Sequence, residues 1–569
     1  MLLITKSGLP KSLNKTIKDF VYNKYNCYFV DSNYLLVMLK NGFKFTLLFL
    51  LLLLISCAKR GTIDGGVKDT IAPVLKISFP ANYSTNFKGN TIKLTFDEYV
   101  KLKNINKQLI ISPPMSKSPT ILPQTASKYI TVKFNDSLQA NTTYSMNFGE
   151  SIEDNNEGNP YRQFKYVFST GSYIDSLSLS GSIKDAYAKK VDPFVSVMLY
   201  EVNSKFNDSV IYKDNPRYVT NTLDSSKTFK LENLKAGKYL LIAIKDENSD
   251  NKFNSKKEKI GFHKEFITIP NDSVFELSLF KETAPFKTFK PSQASGYRFT
   301  MGYEGKTKNL KVTLKNKQEL IPSIVTKLPE KDSVQIWFKP LKIDSLNVSI
   351  AKGNYSQDYN TYLKNQKNDT LSFSTKQNKT IGLSEIFSIK SSIPLQNFDV
   401  TKMQLINKDS VSVAFKAEYD EWNQELKFDF KKEPLEKYKL KLLAGAMKDY
   451  LEHESDSLTY VLETRNSSEY GNLTVNLQNV EKFPIIVELT NAKGDVVASQ
   501  YTENSTKIDF NLLEPNLFTL RVIYDENKNR EWDSGNFLEK KQAEKVIYFP
   551  KEIDIRANWE VDQTFNLKP

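Results

Sequence analysis

Two cysteines, Cys27 and Cys57, and two histidines, His263 and His453, are all that the 569 residues contain. So few sulfurs exclude a disulfide framework, and folded cores must supply the stability instead. Two histidines nearly exclude a multi-histidine zinc site. Neither lies in a recognisable catalytic motif, and no nucleophile elbow or zinc motif occurs, which argues against a hydrolase. The chain also lacks a Lys/Arg block. Its formal charge of +13 is spread over many mixed surfaces, so nucleic-acid binding is not indicated. Beyond residue 56 no helix-period segment exceeds two turns, which predicts an almost wholly β protein.

Long apolar runs are equally scarce. The one present is Phe45 to Ile55, eleven residues with Thr46 as the only polar member. It is too short to span a bilayer, which needs about 20 apolar residues, and it fits a signal-peptide h-region preceded by Lys40 and Lys44. The run ends Leu54-Ile55-Ser56-Cys57, which resembles the bacterial lipobox. That resemblance implies a diacylglyceryl thioether and acylation (palmitate or a similar chain) on Cys57, with cleavage before it. Residues 1–37 then read as an upstream extension, 38–56 as a lipoprotein signal peptide, and 57–70 as a flexible tether. The mature chain would have 569 − 56 = 513 residues, carry about +8, and have no free thiol. Ala58 after the cysteine implies the outer membrane. Lys59 and Arg60, where surface-exported lipoproteins of Bacteroidota carry an acidic pair, leave open which face of it.

The remainder reads as five β domains. In residues 71–171 the landmarks are Ala72-Pro73-Val74, Leu94-Thr95-Phe96-Asp97-Glu98, Ile152-Glu153-Asp154 and Phe168-Ser169-Thr170-Gly171. They resemble the bacterial Ig-like domain called Big_5 or SbsA-like. Asp97 and Glu98 read as a solvated turn rather than a catalytic pair. Residues 176–282, with Gly237-Lys238-Tyr239-Leu240-Leu241, resemble the transthyretin-like or carboxypeptidase-regulatory-like sandwich. Residues 470–569 repeat that plan. Leu513 to Asn527 matches Leu234 to Asn248 at a constant offset of 279 (525 − 246), which marks an internal duplication. Residues 283–376, closing on Leu371-Ser372-Phe373-Ser374-Thr375, and residues 377–465 read as two further Ig-like domains. The expected fold class is therefore all-β, a tandem array of Ig-like and transthyretin-like sandwiches, arranged as a tethered rod.

Three constellations could carry chemistry. Asp246-Glu-Asn248-Ser-Asp250 and Asp525-Glu-Asn527-Lys-Asn529, the latter followed by Asp533, place side-chain oxygens with the spacing of a calcium loop. They depart from it at position 6 (Asn251, Arg530) and position 12 (Lys257, Asn536), and an Asx-rich turn is the other reading. Calcium is thus the one cofactor to test. Asp-Ser/Thr-aliphatic tripeptides recur at Thr70, Ser137, Ser176, Ser209, Ser273, Ser333, Ser345, Thr370, Ser410 and Ser457. They resemble the O-glycosylation sequon of exported Bacteroidota proteins, and they are also good strand-opening turns. Trp337, Trp422, Trp532 and Trp559 could stack on glycans but are scattered, as core residues are. The expected function is a non-enzymatic, lipid-anchored structural or adhesive module for an envelope protein or polysaccharide. The alternative is an accessory subunit of an envelope export, assembly or glycan-uptake complex.

Overall fold

Alternating strands dominate because one side chain in two points inward. In Thr91–Leu102, Ile92, Leu94 and Phe96 are buried while Lys93 faces out. Each fully buried residue of this kind contributes about 1.5–3 kcal/mol. The computed structural model describes residues 69–222 and 227–568. The apolar run and Cys57 lie outside the described residues. Among those residues the only α-helices are two four-residue turns, Ile105–Gln108 and Val210–Lys213. Among the described residues no helix is long and apolar enough to cross a membrane.

The first sandwich packs a sheet of Leu75–Phe79, Thr91–Leu102, Ser127–Lys133 and Thr120–Leu122 against one of Ile110–Ser112, Thr143–Asn147 and Lys165–Ser169. Phe87, Leu94, Phe96, Phe148 and Phe168 fill the space between them. The fourth sandwich has the same order in its first sheet: Phe373–Thr375, Phe387–Ser391, Glu425–Phe430, Phe415–Asp420. This corrects the expected boundary at 376. Phe373–Thr375 pairs with Phe387–Ser391 and opens the fourth sandwich rather than closing the third. The Phe-Ser-Thr triplet suits either role, and only pairing decides.

The second and fifth sandwiches share one topology. Leu177–Asp185 pairs antiparallel with Thr228–Leu234 and parallel with Val274–Leu279. Gly471–Gln478 likewise pairs antiparallel with Lys507–Leu513 and parallel with Glu560–Asn566. The facing sheets centre on Gly237–Ile244 and Asn516–Tyr524, both almost wholly buried. The duplication seen in the sequence is thus also one of strand order.

The rod expectation does not hold. The fifth sandwich turns back onto the second. Phe537 is fully buried in the second sandwich's own cluster, edge-on to Phe262 at 5.3 Å. Its N–H donates to Glu282 Oε1 at 2.6 Å, Gln542 Nε2 donates to the Phe262 carbonyl at 2.9 Å, and Lys540 pairs with Asp208 at 2.6 Å. A second contact centres on Arg521, buried and paired with Glu488 at 2.6 Å. It donates to the Tyr187 hydroxyl at 2.6 Å, and Trp532 packs on the Tyr187 ring at 4.5 Å. A rod follows only if successive domains touch neighbours alone, and these contacts span more than 250 residues of chain.

The other junctions are also polar and specific. Val219 N–H donates to Ser112 Oγ and Arg217 to Gln139, tying the first sandwich to the second. Between the third and fourth, Trp337 clusters with Ile393 and Tyr450, and Gln335 donates to Gln424 at 3.0 Å.

Candidate functional site

The two acidic loops follow the buried central strand of each duplicated sandwich, and their geometry repeats atom for atom. Asp246 accepts the N–H groups of Asp250 and Asn251 at 3.3 and 2.8 Å. Asp525 accepts those of Asn529 and Arg530 at 3.1 and 2.8 Å. The backbone makes this possible. Ser249 and Asn251 in one copy, and Lys528 and Arg530 in the other, have φ between 58° and 66°. These left-handed residues curl successive N–H groups toward one carboxylate, a concave anion-binding turn.

A glutamate closes each loop from the far side. Glu258 accepts the N–H groups of Glu247 and Asn254 at 3.1 and 2.8 Å. Glu544 accepts those of Glu526 and Asp533 at 2.8 and 2.9 Å. Burial, the largest cause, pushes Glu258 and Glu544 above the ordinary carboxylate range, and also Asp246.

This is not a calcium donor set. Both oxygens of Asp525 are taken by backbone N–H groups. Asn527 and Asn529 turn their amide nitrogens, not their oxygens, to Asp533. The other Asp533 oxygen holds the Lys306 ammonium at 2.8 Å, so a cation already occupies that direction. Burial opposes ionisation of Asp533, but Lys306 and the two asparagines outweigh it and hold the group below its usual value. In the first copy Asn248 Nδ2 donates to Asp250 at 2.9 Å, and Lys252 N–H takes the other Asp250 oxygen at 2.8 Å. Among the described residues no group of three or more His, Cys, Asp or Glu could hold a metal ion. The spacing resembles a calcium loop because both need inward oxygens, and here backbone N–H groups receive them.

The tryptophans do not form a stacking site. Trp337 is fully buried, Trp422 packs on the third sandwich's core, and Trp532 covers Tyr187. Trp559 is exposed beside Arg556. His453 Nδ1 lies 2.9 Å from Asp449, a buried carboxylate that also accepts the His453 N–H at 2.8 Å and so organises its own turn. Asp154 does the same in the first sandwich, accepting three N–H groups at 2.6–3.0 Å. Asp97 accepts the Val74 N–H at 2.8 Å, a turn contact. The sequon-like residues lie in loops and turns, except Ser333 and Ser345, which open strands. Thr70, Ser137, Ser176, Ser273, Thr370, Ser410 and Ser457 are exposed, and Ser209, Ser333 and Ser345 are half-buried.

A cleft of about 620 Å³ opens between the first two sandwiches. Asn106, Lys107, Asn215, Asn221 and Asp250 line it together with Phe194, whose φ of 53° is rare for a bulky residue. Such inter-domain clefts suit ligand binding, but these residues came from no motif and sequence reasoning missed them. It also missed Glu258 and Glu544. A signal existed: Glu258-Lys-Ile260 and Glu544-Lys-Val546 correspond at an offset of 286 (544 − 258), not 279, and an ungapped comparison stops short of them.

These features define an all-β protein of the structural or binding kind, with loops and clefts presented on packed sandwiches. Residues 69–170 match the bacterial Ig-like domain family, so the chain carries a bacterial Ig-like domain. Residues 188–285 match a family described as an uncharacterized protein conserved in bacteria. No curated protein matches. Solved structures similar to this chain include domains 1–6 of the surface-layer protein SbsC (10% identity, 85% of this chain, 67% of that one, TM-score 0.16). Another is SGBP-B from a mixed-linkage glucan utilization locus of Bacteroides ovatus, in complex with a mixed-linkage heptasaccharide (11% identity, 78% and 99% covered, TM-score 0.18). A third is the Ig1-2 module of the Drosophila receptor protein tyrosine phosphatase DLAR (12% identity, 32% and 100% covered, TM-score 0.13). At such TM-scores the likeness carries no functional argument.

Proposed function

We propose that the chain is a non-enzymatic, lipid-anchored outer-membrane protein that serves as a structural or adhesive module for an envelope protein or polysaccharide. The observation that carries this reading is the clamp between the duplicated sandwiches. Phe537, Arg521 and Lys540 spend their side chains on holding the second and fifth sandwiches together. Buried carboxylates that would suit catalysis, Asp525, Glu544, Asp154 and Asp449, are consumed by backbone N–H groups of their own turns. Rigid frames with organised loops are what binding modules use.

The anchor rests on the lipobox-like Leu54-Ile55-Ser56-Cys57 and on spacing. The first described strand, Leu75–Phe79, begins eighteen residues after Cys57 (75 − 57), a spacing that suits a short tether. The inter-sandwich cleft, rich in amides and with Phe194 at its wall, favours a polysaccharide among the partners.

Protease accessibility on intact cells, with a Cys57→Ala control and labelled fatty acid, tests the proposal. Label in the parent alone, with release of the variant from membranes, is expected. If both forms partition with membranes and neither takes up label, the anchor is wrong.

A further inference from the structure

Among the described residues nothing covers the outer face of the first sandwich's larger sheet. Cross-strand partners share a face. Phe79 pairs with Lys93, Lys93 with Thr131, and Thr131 with Leu122. In the next row Ile77 pairs with Thr95, and Thr95 with Tyr129. The inward alternates Ile92, Leu94, Ile130 and Val132 are buried. The outward ones are not: Phe79 is 75% exposed, Ile77 66%, Leu122 48% and Tyr129 44%. Two adjacent rows therefore present four large apolar side chains on one continuous surface, and Leu75–Phe79 forms the edge of that sheet. An apolar edge strand left bare is an aggregation hazard that native proteins cover.

We infer that this face lies against the lipid surface from which the chain is tethered. The inference rests on the anchoring reading above. Three observations choose lipid over other occupants. The first is composition. Aromatic and aliphatic groups are mixed with Lys93 and Lys133, Lys93 Nζ lies 4.5 Å over the Tyr129 ring, and no outward position of the four strands between Ile77 and Lys133 in these two rows or the flanking Thr91–Lys133–Thr120 row is acidic. Amphipathic rings and snorkelling lysines are the residues of a bilayer interface, and lysines near it favour anionic headgroups. The second is shape. The surface is a pleated sheet face whose two edge strands carry the aliphatic Ile77 and Leu122, which offer a sugar neither a ring nor a hydrogen bond, so stacking partners exist only at Phe79 and Tyr129. The third is position. The strand bearing Ile77 and Phe79 is the first of the fold. The thirteen residues from Ala58 to Thr70 reach at most about 45 Å when fully extended. Tethering at that range raises the local concentration of bilayer to millimolar order, so even a weak interfacial contact persists.

The test uses the chain from residue 57 to 569 with Cys57→Ala, so that no acyl group contributes, and follows co-sedimentation with phosphatidylethanolamine/phosphatidylglycerol vesicles. Binding is expected, with the Ile77→Ser/Phe79→Ser variant about tenfold weaker as apolar contact with the bilayer is lost. Lys93→Ala/Lys133→Ala should remove the preference over phosphatidylcholine vesicles. Val496→Ser/Val497→Ser, at exposed positions of the fifth sandwich, should bind as the parent does. Unchanged melting temperatures show that the variants remain folded. The inference is overturned if the parent binds no vesicle, if the Ile77/Phe79 variant binds equally well, or if sedimentation velocity shows a dimer that this variant abolishes, which would assign the face to a second copy. Intact mass of the native protein keeps the two readings apart. An acyl increment without vesicle binding refutes the face alone, and vesicle binding without an increment refutes the anchor alone.

Discussion

Phe537→Ala tests the clamp between the duplicated sandwiches most directly. The ring is fully buried among Ile260, Phe262 and Phe280, residues of the other sandwich. Removing such a ring from a packed core costs about 3–5 kcal/mol, counting both lost transfer energy and the cavity left behind. Here the cavity need not persist, because the two walls belong to separate sandwiches with separate cores. The cost should therefore appear as undocking rather than global unfolding. A loss of about 3 kcal/mol lowers the docking equilibrium roughly 150-fold. The polar contacts that remain, Gln542 to the Phe262 carbonyl and Lys540 to Asp208, contribute only about 0.5–1.5 kcal/mol each. Native-state hydrogen exchange is the assay. Amides of Ile260–Phe262 and of residues 534–543 should exchange faster in the variant, while those of Gly237–Ile244 and Asn516–Tyr524 keep their protection. Phe537→Leu should recover most of the effect. Exchange at Ile260–Phe262 identical to the parent's would refute the clamp.

Glu544→Ala removes the acceptor of the part-buried Glu526 and Asp533 N–H groups, at about 0.5–1.5 kcal/mol each; urea unfolding of the variant should show a loss of that order, with Glu544→Gln losing less. The Lys306–Asp533 pair contributes about 0.5–1 kcal/mol, being partly exposed. Asp533 is depressed in the fold, so its share is present above its unfolded value of about 3.9 and is lost as pH falls through the lower folded value. Lys306 is raised, chiefly by its hydrogen bond to Asp533, so its share is present below about 10.4 and lost as pH rises through the folded value. The stability difference between parent and Lys306→Ala should therefore be flat from about pH 5 to 10 and shrink outside that window. Millimolar calcium should leave the melting temperature unchanged, since the Asp525 oxygens are taken; a rise that Asp525→Ala abolishes would contradict the loop geometry. Intact mass of protein from its native host should show glycan increments on the accessible Asp-Ser/Thr turns, and a lipid increment alone would remove that reading.

Much of the fold is written in local pattern. Alternation in Ile92-Lys93-Leu94-Thr95-Phe96 marks a half-buried strand because the pleat period is two and one face is buried. Asp-Glu-Asn at a constant offset of 279 marks the duplication because that turn needs the same carboxylate in both copies. What stayed hidden depends on pairing and on atoms rather than residue types. Phe373–Thr375 has the composition of a closing strand and the partner of an opening one. The calcium-like spacing was legible, but which way each oxygen points was not.

The hidden feature with the widest consequence lies where the offset slips from 279 to 286 between Trp532 and Glu544. Up to Trp532, which corresponds to Phe253, the copies align without a gap; beyond it the second copy has seven more residues before its closing glutamate (19 between Asp525 and Glu544, against 12 between Asp246 and Glu258). That stretch supplies Ser534, Phe537, Lys540 and Gln542, each of which contacts the second sandwich. Gly535 lies so close to the Phe280 ring and the Lys541 carbonyl that a Cβ would meet both at 2.6 Å. The segment has no hydrophobic period, so nothing in it announces a buried phenylalanine. Its function is visible only as a departure from the repeat. The two sandwiches keep the same loop-closing carboxylates, and the additional residues in one copy make the surface that grips the other. Gly535→Ala, which adds a single methyl at that approach, should therefore loosen the clamp as Phe537→Ala does, read by the same exchange at Ile260–Phe262, while a variant with unaltered protection there would show that the close approach is not needed for docking.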